Sequence, residues 1–227
     1  MTETNTQRGV SRAQFLRNSA KGGIALAVGG SVLGSVSGVA MASSGGVSDN
    51  STLQAAYAAE SLAVYVYTAV LKNFNSFKHP KLMNLDYFQA ALKDEKAHLA
   101  FLGNALGAKA PTGLKFTVPA SALKSGQAVL NFGVALETAF VETYLGAVGT
   151  LSSSDLKLVA AKVAANEATH FSFFDAAAGA GPAGNLGGHG VLPALPGTVT
   201  VSQAAQVLTP YIPNLTAQLT AVGFPNA

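Results

Sequence analysis

The same acid–base pair occurs twice in the chain, in DEKAHLAFL (residues 94–102) and in NEATHFSFF (residues 166–174). Glu95 and His98 are three positions apart in the first stretch, and Glu167 and His170 are three positions apart in the second. Residues with this spacing share one face of an α-helix, and both faces are otherwise apolar. Because a buried carboxylate or imidazole needs a polar partner or a metal ion, both pairs are candidate ligands in a helical core.

Long apolar periodicities surround these two stretches. The spacing of three and four positions predicts four helices, at about residues 51–74, 81–106, 121–150 and 154–178. Ser51 and Gln54 suit a capping box at the start of the first helix, and Gly107 follows the end of the second. Four helices of roughly 24 residues predict an all-α four-helix bundle.

The other glutamates extend the pattern to all four helices. Beyond residue 42 the chain has five Glu residues. Glu60 lies on the apolar stripe of the first helix and Glu137 on that of the third, whereas Glu142 faces a smaller, more mixed surface. The predicted metal ligands are Glu60, Glu95, His98, Glu137, Glu167 and His170.

This ligand order, Glu then Glu-x-x-His and again Glu then Glu-x-x-His, is that of dimetal carboxylate bundles. Mixed carboxylate and imidazole ligands suit two iron or two manganese ions. Six ligands leave positions open for water, O₂ or H₂O₂. Asp94 and Asn166, each preceding a ligand Glu, are candidate acceptors for a ligand imidazole N–H; both could instead lie on the solvated face.

Charge and composition exclude several classes of protein. Residues 1–42 carry a net charge of +3, and the remainder has ten Lys and ten acids, which balance. Nucleic-acid binding needs a clustered basic surface, which the body of the chain does not offer. The chain has no Cys, so disulfides, thiolate metal sites and a rubredoxin-type iron site are excluded.

The first 42 residues have the order of an export signal. A basic start ending at Lys21 precedes an uncharged, Gly-rich run that ends in Ala40-Met41-Ala42, a small-x-small cleavage pattern. SRAQFLR (11–17) resembles the twin-arginine export motif, with Ala13 in place of the second Arg. We expect a periplasmic, extracellular or cell-surface protein; a membrane helix remains the alternative if the segment is retained.

The expected domain organisation has four parts: an export signal at residues 1–42, a Ser/Gly linker at 43–50, the bundle at 51–178 and a C-terminal extension at 179–227. The extension begins with a Gly/Pro-rich strap at residues 179–197. TVSQAAQVLTPYI (200–212) predicts one short amphipathic helix after it.

Four stretches together carry a family resemblance. AAESLAVYVYTAVL, DEKAHLAFLGNALGAKAP, LETAFVETYLGAV and NEATHFSFF resemble the helices of the ferritin-like domain family, specifically its exported bacterial members. The resemblance implies the same six metal ligands, and Tyr67 and Tyr144 match aromatic positions of the family. Relatives include iron oxidases, rubrerythrin-like peroxidases and manganese catalases, so the family leaves the reaction open.

Three functions remain compatible with the sequence. The first is an exported dimetal oxidase or peroxide scavenger whose partners are metal ions and a small oxidant. The second is a non-catalytic structural or stress-protection protein, with apolar helices suited to a homo-oligomer. An iron-storage cage is the third, disfavoured because few acids are available to line a mineral cavity.

Overall fold

The computed structural model describes residues 26–28, 31–33, 48–77, 83–179, 190–194 and 196–224. The chain separates into two compact units, residues 1–44 and residues 45–227. In the first unit, strands β1 (Leu26–Val28) and β2 (Ser31–Leu33) pair antiparallel; the sequence did not predict them. The rest of the predicted signal lies outside the described residues, as do positions 43–47 of the linker.

The second unit is a helical bundle with a helical C-terminal extension. Its described residues contain six α-helices: α1 Asp49–Lys72, α2 Leu85–Leu106, α3 Gly126–Thr150, α4 Ser154–Gly179, α5 Val201–Leu208 and α6 Leu215–Ala221. The predicted all-α four-helix bundle is confirmed by α1 to α4. None of the helices in the described ranges is both long and apolar enough to cross a bilayer.

The helix starts differ from the sequence prediction because other residues cap them. Ser48 caps α1 by accepting a hydrogen bond from the Ser51 N–H, so the predicted capping box at Ser51 is wrong. Asn84 caps α2, so this helix begins at Leu85, four residues after the predicted start. Ser125 caps α3, and the residues before it, Ala120–Leu123, form a 3₁₀ helix.

Side-chain hydrogen bonds at the helix ends define the topology. The Asp49 carboxylate accepts from the backbone N–H groups of Ser152 and Ser153, at 2.7 and 3.1 Å. The Gln54 amide donates to the carbonyl of Lys109, just after α2. The start of α1 therefore meets the end of α2 and the turn between α3 and α4. Since α2 and α3 must then run parallel, residues 107–125 form one long crossover, as in ferritin-like bundles.

The C-terminal extension is built into the bundle. Helix α5 packs on α1 and α3, and α6 packs on α1. The Thr117 N–H donates to the Tyr211 carbonyl at 2.8 Å, and the Asn214 side chain bonds both Lys115 and Gly113. The predicted short helix is confirmed as α5, while α6 was not predicted. These contacts hold the long crossover in place.

A glycine in α3 lets the extension approach the bundle. The Val199 N–H donates to the Glu142 carbonyl at 3.1 Å. A Cβ at Gly146 would collide with the Val199 backbone carbonyl, whereas a Cβ at Gly149 would meet nothing within 4 Å. Residue 146 must therefore lack a side chain if residue 199 is to lie against α3.

Gly146→Ala is expected to lower the free energy of unfolding by about 1–3 kcal/mol, because residue 199 must shift away from α3. Gly149→Ala is the matched control in the same helix. It should raise stability by up to about 1 kcal/mol, since Ala is the better helix former. Urea denaturation measures both. Equal effects of the two substitutions would contradict the close packing of residue 199.

Candidate metal centre

The four glutamates predicted from the apolar stripes all lie in the middle of the bundle. Glu60 comes from α1, Glu95 from α2, Glu137 from α3 and Glu167 from α4, and each is 0 % exposed. His170 is 2 % exposed, and the side chain of His98 is 14 % exposed. The structure thus brings all six predicted residues together.

The six side chains form two overlapping groups. The His98 group consists of Glu60, Glu95, His98 and Glu167, and the His170 group of Glu95, Glu137, Glu167 and His170. In each group, one potential ligand atom per residue lies within 4.8 Å of all the others.

Glu95 and Glu167 belong to both groups because each offers a different oxygen to each imidazole. Glu167 places Oε1 3.1 Å from Nδ1 of His98 and Oε2 3.0 Å from Nδ1 of His170. Glu95 places Oε2 3.6 Å from Nδ1 of His98 and Oε1 3.0 Å from Nδ1 of His170. This is the geometry of two carboxylates able to bridge a pair of ions.

Glu60 and Glu137 each serve one group and are held by a tyrosine from the opposite helix pair. The Tyr144 hydroxyl of α3 donates to Glu60, and the Tyr67 hydroxyl of α1 donates to Glu137 at 2.7 Å. Burial raises the pKa of both tyrosines well above the usual range, so each stays protonated and donates. One oxygen of each glutamate is thereby fixed, and the other faces the centre.

Burial and mutual repulsion set the protonation of the centre. Burial, reinforced by the charge of Glu95, raises the pKa of Glu60 to about 8. Burial likewise raises the pKa of Glu137. Burial alone would lower the pKa of the two imidazoles, but the carboxylates close beside them raise it to about 12 for His98 and about 11 for His170. Without a cation, the centre therefore retains extra protons.

Several inward-facing atoms have no hydrogen-bond partner. The buried oxygens without a hydrogen bond include both carboxylate oxygens of Glu95, Oε2 of Glu60 and Oε2 of Glu137. Unpaired buried acceptors are costly, and these acceptors surround the same space. Divalent cations would satisfy them, so the donor set fits a two-ion carboxylate and imidazole site.

The family model of the ferritin-like domain matches residues 48–180. The chain belongs to the ferritin-like domain family. This confirms the resemblance found in the four helical stretches. No curated protein matches the chain.

Glu142 takes no part in the centre of this ferritin-like bundle, as its mixed helix face predicted. Its side chain is partly buried and accepts from the Gly197 backbone, while burial raises its pKa. A Cβ at Gly197 would lie 2.5 Å from its Oε1. Glu142 therefore belongs to the attachment of the strap.

The two residues that precede the ligand glutamates differ in their surroundings. Oδ2 of Asp94 lies 3.8 Å from Nε2 of His170, beyond hydrogen-bond distance, and its side chain is 47 % exposed. Asp94 thus faces the imidazole of α4 rather than that of its own helix. Oδ1 of Asn166 is buried without a hydrogen-bond partner.

Sequence reasoning did not assign Tyr67 and Tyr144 their role as hydrogen-bond donors to the terminal glutamates. A signal was present, since each tyrosine follows a glutamate of its own helix, Glu60 or Glu137, by seven positions. That spacing keeps both residues on one helix face, and the two-fold repeat of the helix pairs directs each tyrosine at the other pair's glutamate.

Proposed function

We propose that the chain is an exported dimetal-carboxylate protein that binds two iron or two manganese ions and oxidises Fe(II) or consumes O₂ or H₂O₂. The observation that carries this proposal is the sharing of Glu95 and Glu167 between the His98 group and the His170 group. Each of these carboxylates directs one oxygen toward His98 and the other toward His170, which suits two ions better than one. Carboxylates and imidazoles suit both iron and manganese.

The protein's own residues would hold and orient the ions. Glu60 and Glu137 would each bind one ion through the oxygen that its tyrosine leaves free. The imidazoles would bind through Nδ1, the atom that faces the carboxylates in both cases. Bound ions of this kind supply Lewis acidity and exchange between the +2 and +3 states. The helices around the centre exclude bulk water, which strengthens the electrostatic attraction between carboxylates and cations.

Export is part of the proposal. It rests on the basic start, the uncharged run and the Ala40-Met41-Ala42 pattern of the sequence. Mass spectrometry of the secreted protein would then find a new N-terminus near Ser43.

The proposed function is tested by metal analysis and turnover on the same preparation. We expect about two ions per chain in the native protein, and consumption of H₂O₂ or of O₂ with Fe(II). Glu95→Gln should lose binding and turnover, because it removes a shared carboxylate. Glu142→Gln should keep both. Two bound ions without any redox turnover would favour the non-catalytic structural role instead.

A further inference from the structure

The bundle is filled differently on the two sides of the metal centre. Toward the end where α1 finishes, aromatic rings close the core: Tyr67 and Phe174 both pack on Phe88, with ring centroids 5.9 and 5.6 Å apart. The space left there is about 10 Å³, too small for a ligand. Toward the end where α1 begins, a cavity of about 180 Å³ lies among all four helices.

The lining of this cavity is almost entirely apolar. Of its fourteen residues, only Thr52, His98 and Tyr144 carry polar side-chain atoms. The Tyr144 hydroxyl already donates to Glu60, and Nδ1 of His98 faces the carboxylates. The remaining walls are alanine, valine, leucine and phenylalanine side chains.

The cavity connects the metal centre with the surface. His98 and Tyr144 form the wall toward the centre. Phe101 is 40 % exposed, and Ala97, one turn earlier in α2, is also exposed. A small molecule bound beside Phe101 would thus also lie near His98.

Size and polarity define what the cavity accepts. An enclosed apolar cavity of roughly 150 Å³ engineered into another protein binds benzene, and the cavity here has a similar volume and lining. Hydrated cations would lose their water shell without compensation on these walls, so the cavity is unsuited to deliver Fe(II). Dioxygen alone would leave most of the volume unfilled, and empty apolar space is itself destabilising.

We propose that this cavity is a binding site for an uncharged, apolar organic molecule of about the size of one aromatic ring, held beside His98. This goes beyond the proposed function, because binding depends on the apolar walls and does not require metal. When metal ions occupy the centre, a molecule bound in this cavity would lie next to the half of the centre formed by Glu60 and His98.

Toluene is the probe for this site, and Ala160→Phe is the variant that fills it. Ala160 is 4 % exposed and lines the cavity, whereas Ala161, its neighbour in α4, faces solvent. Calorimetric titration should give a dissociation constant for the parent, and toluene at ten times that concentration should raise the melting temperature by roughly 3–6 °C. Ala161→Phe should keep this response, and Ala160→Phe should lose at least about tenfold in affinity.

Ala147→Leu, which also narrows the cavity, keeps the test valid if Ala160→Phe does not fold. Weakened toluene binding in either folded cavity variant, with Ala161→Phe unchanged, supports the site. No response in the parent, or an equal response in all variants, overturns it. Mn(II) is titrated separately into the same proteins, so a failure of toluene binding and a failure of metal binding are told apart.

Discussion

Saturating Mn(II) or Fe(II) is expected to raise the melting temperature of the metal-free protein by roughly 8–16 °C, at about a thousandfold excess over the dissociation constant. The reason is that four buried glutamates lie close together, offset only by the protons that the centre retains, and several of their oxygens lack a hydrogen-bond partner. An ion that binds only the folded chain stabilises it by mass action. Differential scanning calorimetry with and without metal measures the gap.

Glu95→Gln and Glu142→Gln separate this effect from general ion binding. Glu95 contributes to both groups of ligands, so Glu95→Gln should abolish most of the metal-dependent rise. Glu142 is a partly buried carboxylate of α3 that contacts the Gly197 backbone instead of the centre. Glu142→Gln should therefore leave the metal-dependent rise intact. If neither metal changes the melting temperature of the parent protein, the cluster is a polar core that binds no metal.

The metal-dependent gap should widen as the pH rises from 5 to 8. The pKa of Glu60 in the folded protein, about 8, is above its ordinary value of 4.5. The folded metal-free chain therefore binds this proton more tightly than the unfolded chain, and its stability falls as the pH rises through that window. Metal competes with the same protons and binds better at higher pH. A gap that narrows between pH 5 and 8 would contradict the protonated centre.

Truncation after Pro196 is expected to prevent cooperative folding. It removes α5, α6 and the turn between them, in which Ile212, Leu215 and Leu219 are at most 1 % exposed. Each such side chain contributes about 1.5–3 kcal/mol, and the whole domain is stable by only about 5–15 kcal/mol. Loss of the extension also frees the crossover that Tyr211 and Asn214 hold. Circular dichroism should show no sharp melting transition.

Point substitutions give the same test in an intact chain. Leu215→Ala should cost about 2–5 kcal/mol through the cavity it leaves. Thr216→Ala, at the exposed next position of α6, should change stability by no more than about 0.5 kcal/mol. A truncated protein that melts like the parent would make the extension an accessory surface layer.

The bundle and the six central residues could be predicted because helical periodicity places every third or fourth residue on one face. In a chain with only five glutamates after residue 42, an acidic residue on an apolar stripe strongly indicates a carboxylate buried in the core. The choice of Glu137 over Glu142 came from such a stripe, and the burial of Glu137 agrees with it.

Local caps, α6 and the cavity could not be predicted, because they depend on contacts between distant segments. Ser48 and Ser51 are equally suited to cap α1, and the turn at Ser152 and Ser153 that binds Asp49 helps to set where the helix begins. α6 is short and follows Pro213, so its periodicity is weak. The cavity exists because small residues of different helices, such as Ala56 and Ala160, face one another.

The helix pairs α1–α2 and α3–α4 each supply two glutamates and one histidine to the centre, but the surroundings of the two histidines differ. On one side, the rings of Tyr67 and Tyr87 lie 6.1 and 6.2 Å from that of His170; on the other, His98 borders the open cavity. Ligand exchange should consequently be fast at the His98 position and slow at the His170 position. The two halves of the centre would then differ in how fast they exchange bound molecules, because the His98 half borders a cavity and the His170 half is enclosed by aromatic rings.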